Sequence, residues 1–260
     1  MIYNFNKMDK QIFESNLQGL GREVEHFFTQ EKDKILVEPN SSYDGGKIYC
    51  KAGSWIKRGD IIKLSNNWYV VSNLSNLASD IFNVGVITLC DVELTVELGN
   101  YVYQIPAVAS KYSGNSNVRG IIDDSVEGKI SFITGYHQQL DELNDNPYVV
   151  MFGKVWQIGN LMNVNNVLNV YCQGAVTAPK AKIGMSPIKT EYALGERQEV
   201  KFYWLNTTEK NTITYSVNND DVAEIDNQGR VHFLRRGTVN IVATCPETGV
   251  MYISPNIRVK

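Results

Sequence analysis

Three histidines, His26, His137 and His232, are the side chains best suited to move a proton near neutral pH. None has a carboxylate or a second ligand at the spacing one helix or strand needs to build a metal site or an acid–base pair. Two acid pairs, Asp123-Asp124 and Asp220-Asp221, stand in turn-like text. Such pairs suit calcium, but solvated turn carboxylates are the simpler reading. The four cysteines, Cys50, Cys90, Cys172 and Cys245, form no CxxC pair, and each lies in an apolar, strand-like run. They read as small buried hydrophobes rather than zinc ligands or redox thiols. Arg58-Gly59-Asp60 spells the integrin-binding tripeptide, but turn chemistry accounts for it. GxSxG, HExxH, P-loop and GxGxxG sequences are all lacking. The expectation is a chain with no catalytic residue, no cofactor and no metal.

Composition narrows the class. The chain has 260 residues, 43% hydrophobic and 20% charged, ordinary for a globular protein and long enough for two or more domains. The net charge is −3 and the basic residues are dispersed, so the electrostatic footprint of a nucleic-acid binder is missing. No apolar run is long enough to span a membrane, and polar residues interrupt every apolar window of MIYNFNKMDKQIF. Neither a membrane anchor nor a secretory leader is expected; folding in a cytosol is.

The elements that would position any site are organised around Gly59–Leu74, GDIIKLSNNWYVVSNL. Two alternating apolar arms flank a Ser65-Asn66-Asn67 turn, the pattern of a β-hairpin. Residues Pro147–Leu161, PYVVMFGKVWQIGNL, repeat it without a gap at an offset of 87 residues. Ile62 falls on Val149, Leu64 on Met151, Tyr69 on Trp156 and Val71 on Ile158. Apolar residues on both faces of each arm predict strands inside a small barrel or sandwich.

Residues 6–35 carry the one helical pattern. Phe13, Leu17, Leu20, Val24 and Phe27 fall on a single stripe, while Gly19 and Gly21 each cost about 1 kcal/mol relative to Ala and favour a bend or break. This helix either lies on its own barrel or docks on a neighbouring subunit. Short strand-like runs extend from Lys47 to Cys172, separated by polar loops such as Ser110–Asn117. Many short strands without intervening helices imply an all-β body made of two related modules or two similar halves. Candidate interface residues are Phe13, Leu17, Leu20 and Val24 on the stripe, and Lys111, Tyr112 and Asn115 in the loop.

After a linker-like Ala175–Lys180 the texture changes. Ile213–Thr244 reads ITYSVNNDDVAEIDNQGRVHFLRRGTVNIVAT, preceded by YALGERQEVKF. This text resembles the group 2 bacterial immunoglobulin-like domain found in intimins and invasins, over about Ala181–Lys260. Gly229 and Gly237 suit turns, and Val222, Ile225, Val231, Val239 and Ile241 supply a sandwich core. The two hairpins, with the leading helix and this trailing domain, resemble head-tail connector or head-closure proteins of tailed phages. The second copy departs from that pattern, with Asn146-Pro147 in place of Gly59-Asp60.

The resemblances imply a mainly β protein: an N-terminal helical segment at 1–40, a tandem-repeat β-barrel or sandwich body at 41–176, and an Ig-like sandwich at 177–260. They further imply a virion structural protein, assembled in the host cytoplasm as a homo-oligomeric ring. Its partners would be virion proteins on the portal and tail sides, with no sequence-specific nucleic acid and no membrane. The Ig-like domain would project outward and bind host-surface carbohydrate weakly. A tail-tube or head decoration protein, or a bacterial surface adhesin, are the alternative readings.

Overall fold

The computed structural model describes residues 10–39, 45–75, 81–111, 129–145, 147–174 and 179–260. The protein is mainly β. Its helix α1 spans Lys10–Leu20 and stops well short of the predicted end. The reason is Gly21. Its N–H donates to Leu17 O at 3.1 Å, and a Cβ there would lie 2.1 Å from that same oxygen. Only glycine fits, and the chain leaves the helix at that point. It enters strand β1, Arg22–His26, whose sequence REVEH alternates outward Glu23 and Glu25 with inward Val24 and His26. Val24 therefore satisfies both a helical stripe and a two-residue period, and the glycine break decides for the strand.

Strands β2 (Lys32–Pro39), β3 (Gly45–Lys51), β4 (Ile61–Leu64), β5 (Asn67–Ser75) and β6 (Phe82–Leu89) join β1 in a closed barrel of order β1-β2-β3-β6-β5-β4. Val24, Ile35, Ile48, Cys50, Ile56, Ile62, Leu64, Val71 and Ile87 fill it. The helix seals an outer flank: Phe13, with no exposed surface, joins Leu36, Tyr49 and Phe82 in a second cluster.

A second closed barrel uses β7 (Val92–Leu98), β8 (Tyr101–Lys111), β9 (Lys129–Gly135), β10 (Tyr148–Met151), β11 (Lys154–Val164) and β12 (Val167–Gly174), in the order β10-β11-β12-β9-β8-β7. Numbered within each barrel, the two circuits are the same. The repeated hairpins fall at matching places, as β4–β5 and β10–β11. Ile61 faces Val70 in one, and Tyr148 faces Gln157 in the other, both 87 residues on. The Val71 N–H donates to Asp60 O at 2.9 Å, and the Ile158 N–H to Pro147 O at 2.7 Å. Both two-residue turns open on a left-handed residue, Ser65 (φ 57°) and Phe152 (φ 50°).

Packing divides the chain into two units: residues 1–93, 106–138 and 159–172, and residues 94–105, 139–158 and 173–260. Within the first unit, close backbone contacts require glycine at positions 59 and 135. A Cβ on Gly59 (φ +90°) would lie 1.8 Å from Asn166 O, and one on Gly135 would lie 1.9 Å from Gly59 O. Backbone meets backbone here, with no room for a side chain.

The second unit contains the sandwich, built from β13 (Lys182–Met185), β14 (Glu191–Tyr192), β15 (Arg197–Glu199), β16 (Phe202–Leu205), β17 (Thr214–Val217), β18 (Ala223–Ile225), β19 (Arg230–Phe233), β20 (Gly237–Val239), β21 (Ile241–Thr244), β22 (Met251–Ile253) and β23 (Ile257–Val259). They form four small sheets, β13-β16, β14-β23-β20, β15-β19-β18 and β17-β21-β22. Val222, Val231, Val239 and Ile241 are buried in its core as predicted, with Ile225 packed against its margin. Gly229 sits in the β18–β19 turn, donating its N–H to Asp226 O at 3.0 Å.

Candidate assembly surfaces

The helix stripe serves the chain's own packing. The Phe13 ring stacks on Phe82 with centroids 5.1 Å apart, and Leu17 packs beside it. Val24 lies inside the first barrel, and Leu20 is 57% exposed. Of the predicted loop residues, Lys111 ends β8, while Tyr112 and Asn115 lie outside the described residues. Asp123 and Asp124 lie outside them as well.

Folding brings together groups that the sequence spacing kept apart. His26, expected on the helix, stands at the end of β1. Its Nδ1 accepts the backbone N–H groups of Phe28 at 3.2 Å and Thr29 at 3.1 Å. Its Nε2 faces Asp60 Oδ1 at 3.6 Å. Trp55 meets His26 edge-on at 5.3 Å, and Phe28 stacks on His137 at 4.1 Å. Burial, and then the His26 charge, hold the His137 pKa below its usual value. Asp60 Oδ2 also accepts the Lys57 N–H at 2.6 Å, so the Arg58-Gly59-Asp60 turn is tied into the barrel. The imidazoles and the carboxylate act here as staples of a β1–β2 turn and a β3–β4 loop. Among the described residues no group of three His, Cys, Asp or Glu side chains is arranged to hold a metal.

The cysteines are unpaired thiols. Burial pushes the Cys50 thiol up to about 11, and Cys90 and Cys172 up to about 12, far from a reactive thiolate.

In the second unit the sandwich sits against the turn between β7 and β8. The Lys182 ammonium pairs with Glu97. The Tyr252 hydroxyl donates to Asn100 O at 3.0 Å, and burial raises its pKa to about 12. Tyr101 packs against the sandwich core. Backbone and side chain are in close register here too, since a Cβ on Gly184 would lie 2.3 Å from Val102 Cγ2. The sandwich is thus fixed to this β-turn by packing, not merely tethered to it. Sequence reading could not find this seat, because it joins residues about 80 to 150 positions apart.

The outer face of β15-β19-β18 lines an open groove of about 600 Å³ with Arg197, Glu199, Glu224, Arg230 and His232. His232 Nδ1 lies 3.2 Å from Glu224 Oε1, and Arg230 Nε donates to Asp226 Oδ2 at 2.9 Å. Backbone N–H groups of Gln228 and Arg230 bond to Asp226 and, with the Arg230 guanidinium, hold its carboxyl below the usual range. Asp220 and Asp221 are exposed, Asp221 lying 3.9 Å from Arg235.

No curated protein matches the chain. Residues 181–250 match the family described as Bacterial Ig-like domain (group 2), which identifies the sandwich as an Ig-like domain of that kind.

Proposed function

We propose that this chain is a structural protein of a tailed-phage virion, a component of the head-tail connection that assembles as a ring and carries out no catalysis. The observation that carries the reading is the repeat: two six-stranded barrels of one strand order, each holding the same hairpin in the same register. A body of two like modules presents similar outer surfaces twice, which suits a part that contacts portal-side and tail-side neighbours. In this reading α1 leads the chain, the duplicated body begins at β1 (Arg22) and not after residue 40 as the sequence suggests, because β1 and β2 belong to the first barrel, and β13–β23 form the Ig-like domain. The chain reaches DNA only as the lining of a passage, takes no cofactor or metal, and works in the particle after assembly in the host cytoplasm.

A tail-tube or head decoration role would use the same modules. A bacterial surface adhesin is the reading from another class, and the Ig-like match serves it equally. The seat of the sandwich on the β7–β8 turn favours a fixed structural part. Carbohydrate binding by the Ig-like domain would be weak: the charged groove has no Phe, Tyr or Trp among its lining residues to stack on a sugar ring. The test is mass spectrometry of gradient-purified particles together with light scattering of the chain mixed with virion partners. Recovery from particles supports the proposal. A chain absent from particles and monomeric with those partners refutes it.

A further inference from the structure

The Arg58-Gly59-Asp60 tripeptide lies in the loop between β3 and β4, and the fold gives its arginine no counter-ion. Among the described residues two buried side-chain nitrogens have no hydrogen-bond partner, and both belong to this loop: Arg58 Nε and Trp55 Nε1. The carboxylate nearest to Arg58 in sequence is committed elsewhere. Asp60 Oδ2 accepts the Lys57 N–H at 2.6 Å, and Asp60 Oδ1 faces His26 Nε2 at 3.6 Å. No ion pair with a described residue reaches Arg58.

Both groups carry a penalty that folded chains ordinarily avoid. A buried N–H without an acceptor has given up its hydration for nothing. A buried lysine or histidine escapes by shedding its proton, but a guanidinium keeps its charge at any ordinary pH. Arg58 therefore needs an anion, and Trp55 needs an acceptor.

The loop doubles back on a single imidazole. Trp55 meets His26 edge-on at 5.3 Å, and Asp60 faces the same ring, so the chain carrying Arg58 runs between two residues that share one neighbour. The backbone there is fixed. The Asp60 N–H donates to Lys57 O at 3.1 Å, the Gly59 N–H to Val71 O at 2.8 Å and the Ile56 N–H to Ser54 Oγ at 3.2 Å. Gly59, at φ +90°, has the left-handed conformation that the third residue of a type II turn requires. Two unpartnered donors on a rigid loop are preorganised for a ligand.

We propose that the β3–β4 loop binds a small oxyanion, a phosphate or a carboxylate, on the Arg58 guanidinium and the Trp55 indole N–H. The planar donors of a guanidinium match the oxygens of either group. The anion compensates a charge that the fold leaves bare and fastens the loop to the first barrel. This inference does not depend on the virion reading, and its failure leaves that reading where it stands.

The test is thermal melting of the full chain in Tris buffer, titrated with inorganic phosphate and separately with acetate. A saturable rise is expected, about 3–6 °C at ten times the half-saturating concentration of the better anion. The anion that saturates at the lower concentration identifies the chemistry. Arg58→Gln is expected to abolish the saturable rise while melting no lower than the parent in Tris alone, because it removes an uncompensated charge. Trp55→Phe, which keeps a ring against His26, is expected to weaken binding about three- to tenfold. A parent with no saturable rise for either anion overturns the proposal, since water alone then satisfies the two donors. A rise that survives in Arg58→Gln overturns it, because the anion then sits elsewhere. An Arg58→Gln chain that melts several degrees lower in Tris also overturns it, because the arginine would then be part of the packing.

Discussion

Replacing Gly59 by alanine puts the contact in the first unit to a quantitative test. The new Cβ would lie 1.8 Å from Asn166 O and 2.4 Å from Asn166 C, and both obstacles are backbone. A side chain at φ +90° adds about 1–2 kcal/mol of conformational strain. Forcing the turn aside adds about 1–3 kcal/mol more, typical of overpacking. Gly53 is the matched control. Its φ is +84°, with nothing within 4 Å of the added carbon, so Gly53→Ala carries the strain alone. The expected cost is therefore about 2–5 kcal/mol for Gly59→Ala against about 1–2 for Gly53→Ala. At roughly 2–4 °C per kcal/mol for a chain of this size, the first variant melts about 4–20 °C lower than the parent. Differential scanning calorimetry of the three chains reads the two shifts. Equal shifts for the two variants would refute the reasoning, for the backbone contact would then have no energetic weight.

Three other outcomes are expected. Phe13→Ala should cost about 3–5 kcal/mol in urea unfolding and expose α1 to hydrogen exchange, whereas Leu20→Ala should stay within about 0.5 kcal/mol. Stability should fall as the pH drops below 6.5: burial, and then His26, depress the His137 pKa from that value, so its contribution is complete above it and is lost as the pH falls through the folded one. His137→Phe, which keeps the stack on Phe28, should flatten that part of the profile in calorimetry. Cys50, Cys90 and Cys172, with pKa values of about 11, 12 and 12, should react with a disulfide reagent at pH 8 only slowly in the native chain and rapidly once it is unfolded.

The repeated hairpins are legible in the sequence because a turn between two apolar arms is local, and an unbroken offset preserves register. The Ig-like core is legible for the same reason: Val222, Val231, Val239 and Ile241 lie close together in sequence. The N-terminal region is harder to read. Val24 fits a helical stripe and an alternating strand equally well, and the steric demand at Gly21, which separates them, becomes visible only when Leu17 O is placed. His26 falls in a strand instead of the expected helix for that reason, and its approach to Asp60 depends on barrel closure. The seat at Glu97, Asn100 and Tyr101 joins distant segments and leaves no periodic trace.

The central claim is that the molecule works by shape, as a repeated part of a larger particle. Cryo-electron microscopy of purified particles that contain the chain tests it most directly. The account predicts two six-stranded barrels and one sandwich per subunit, repeated around the axis where head meets tail. A map that accounts for every ring of that neck with other folds, while this chain is recovered only as a free monomer, would contradict it.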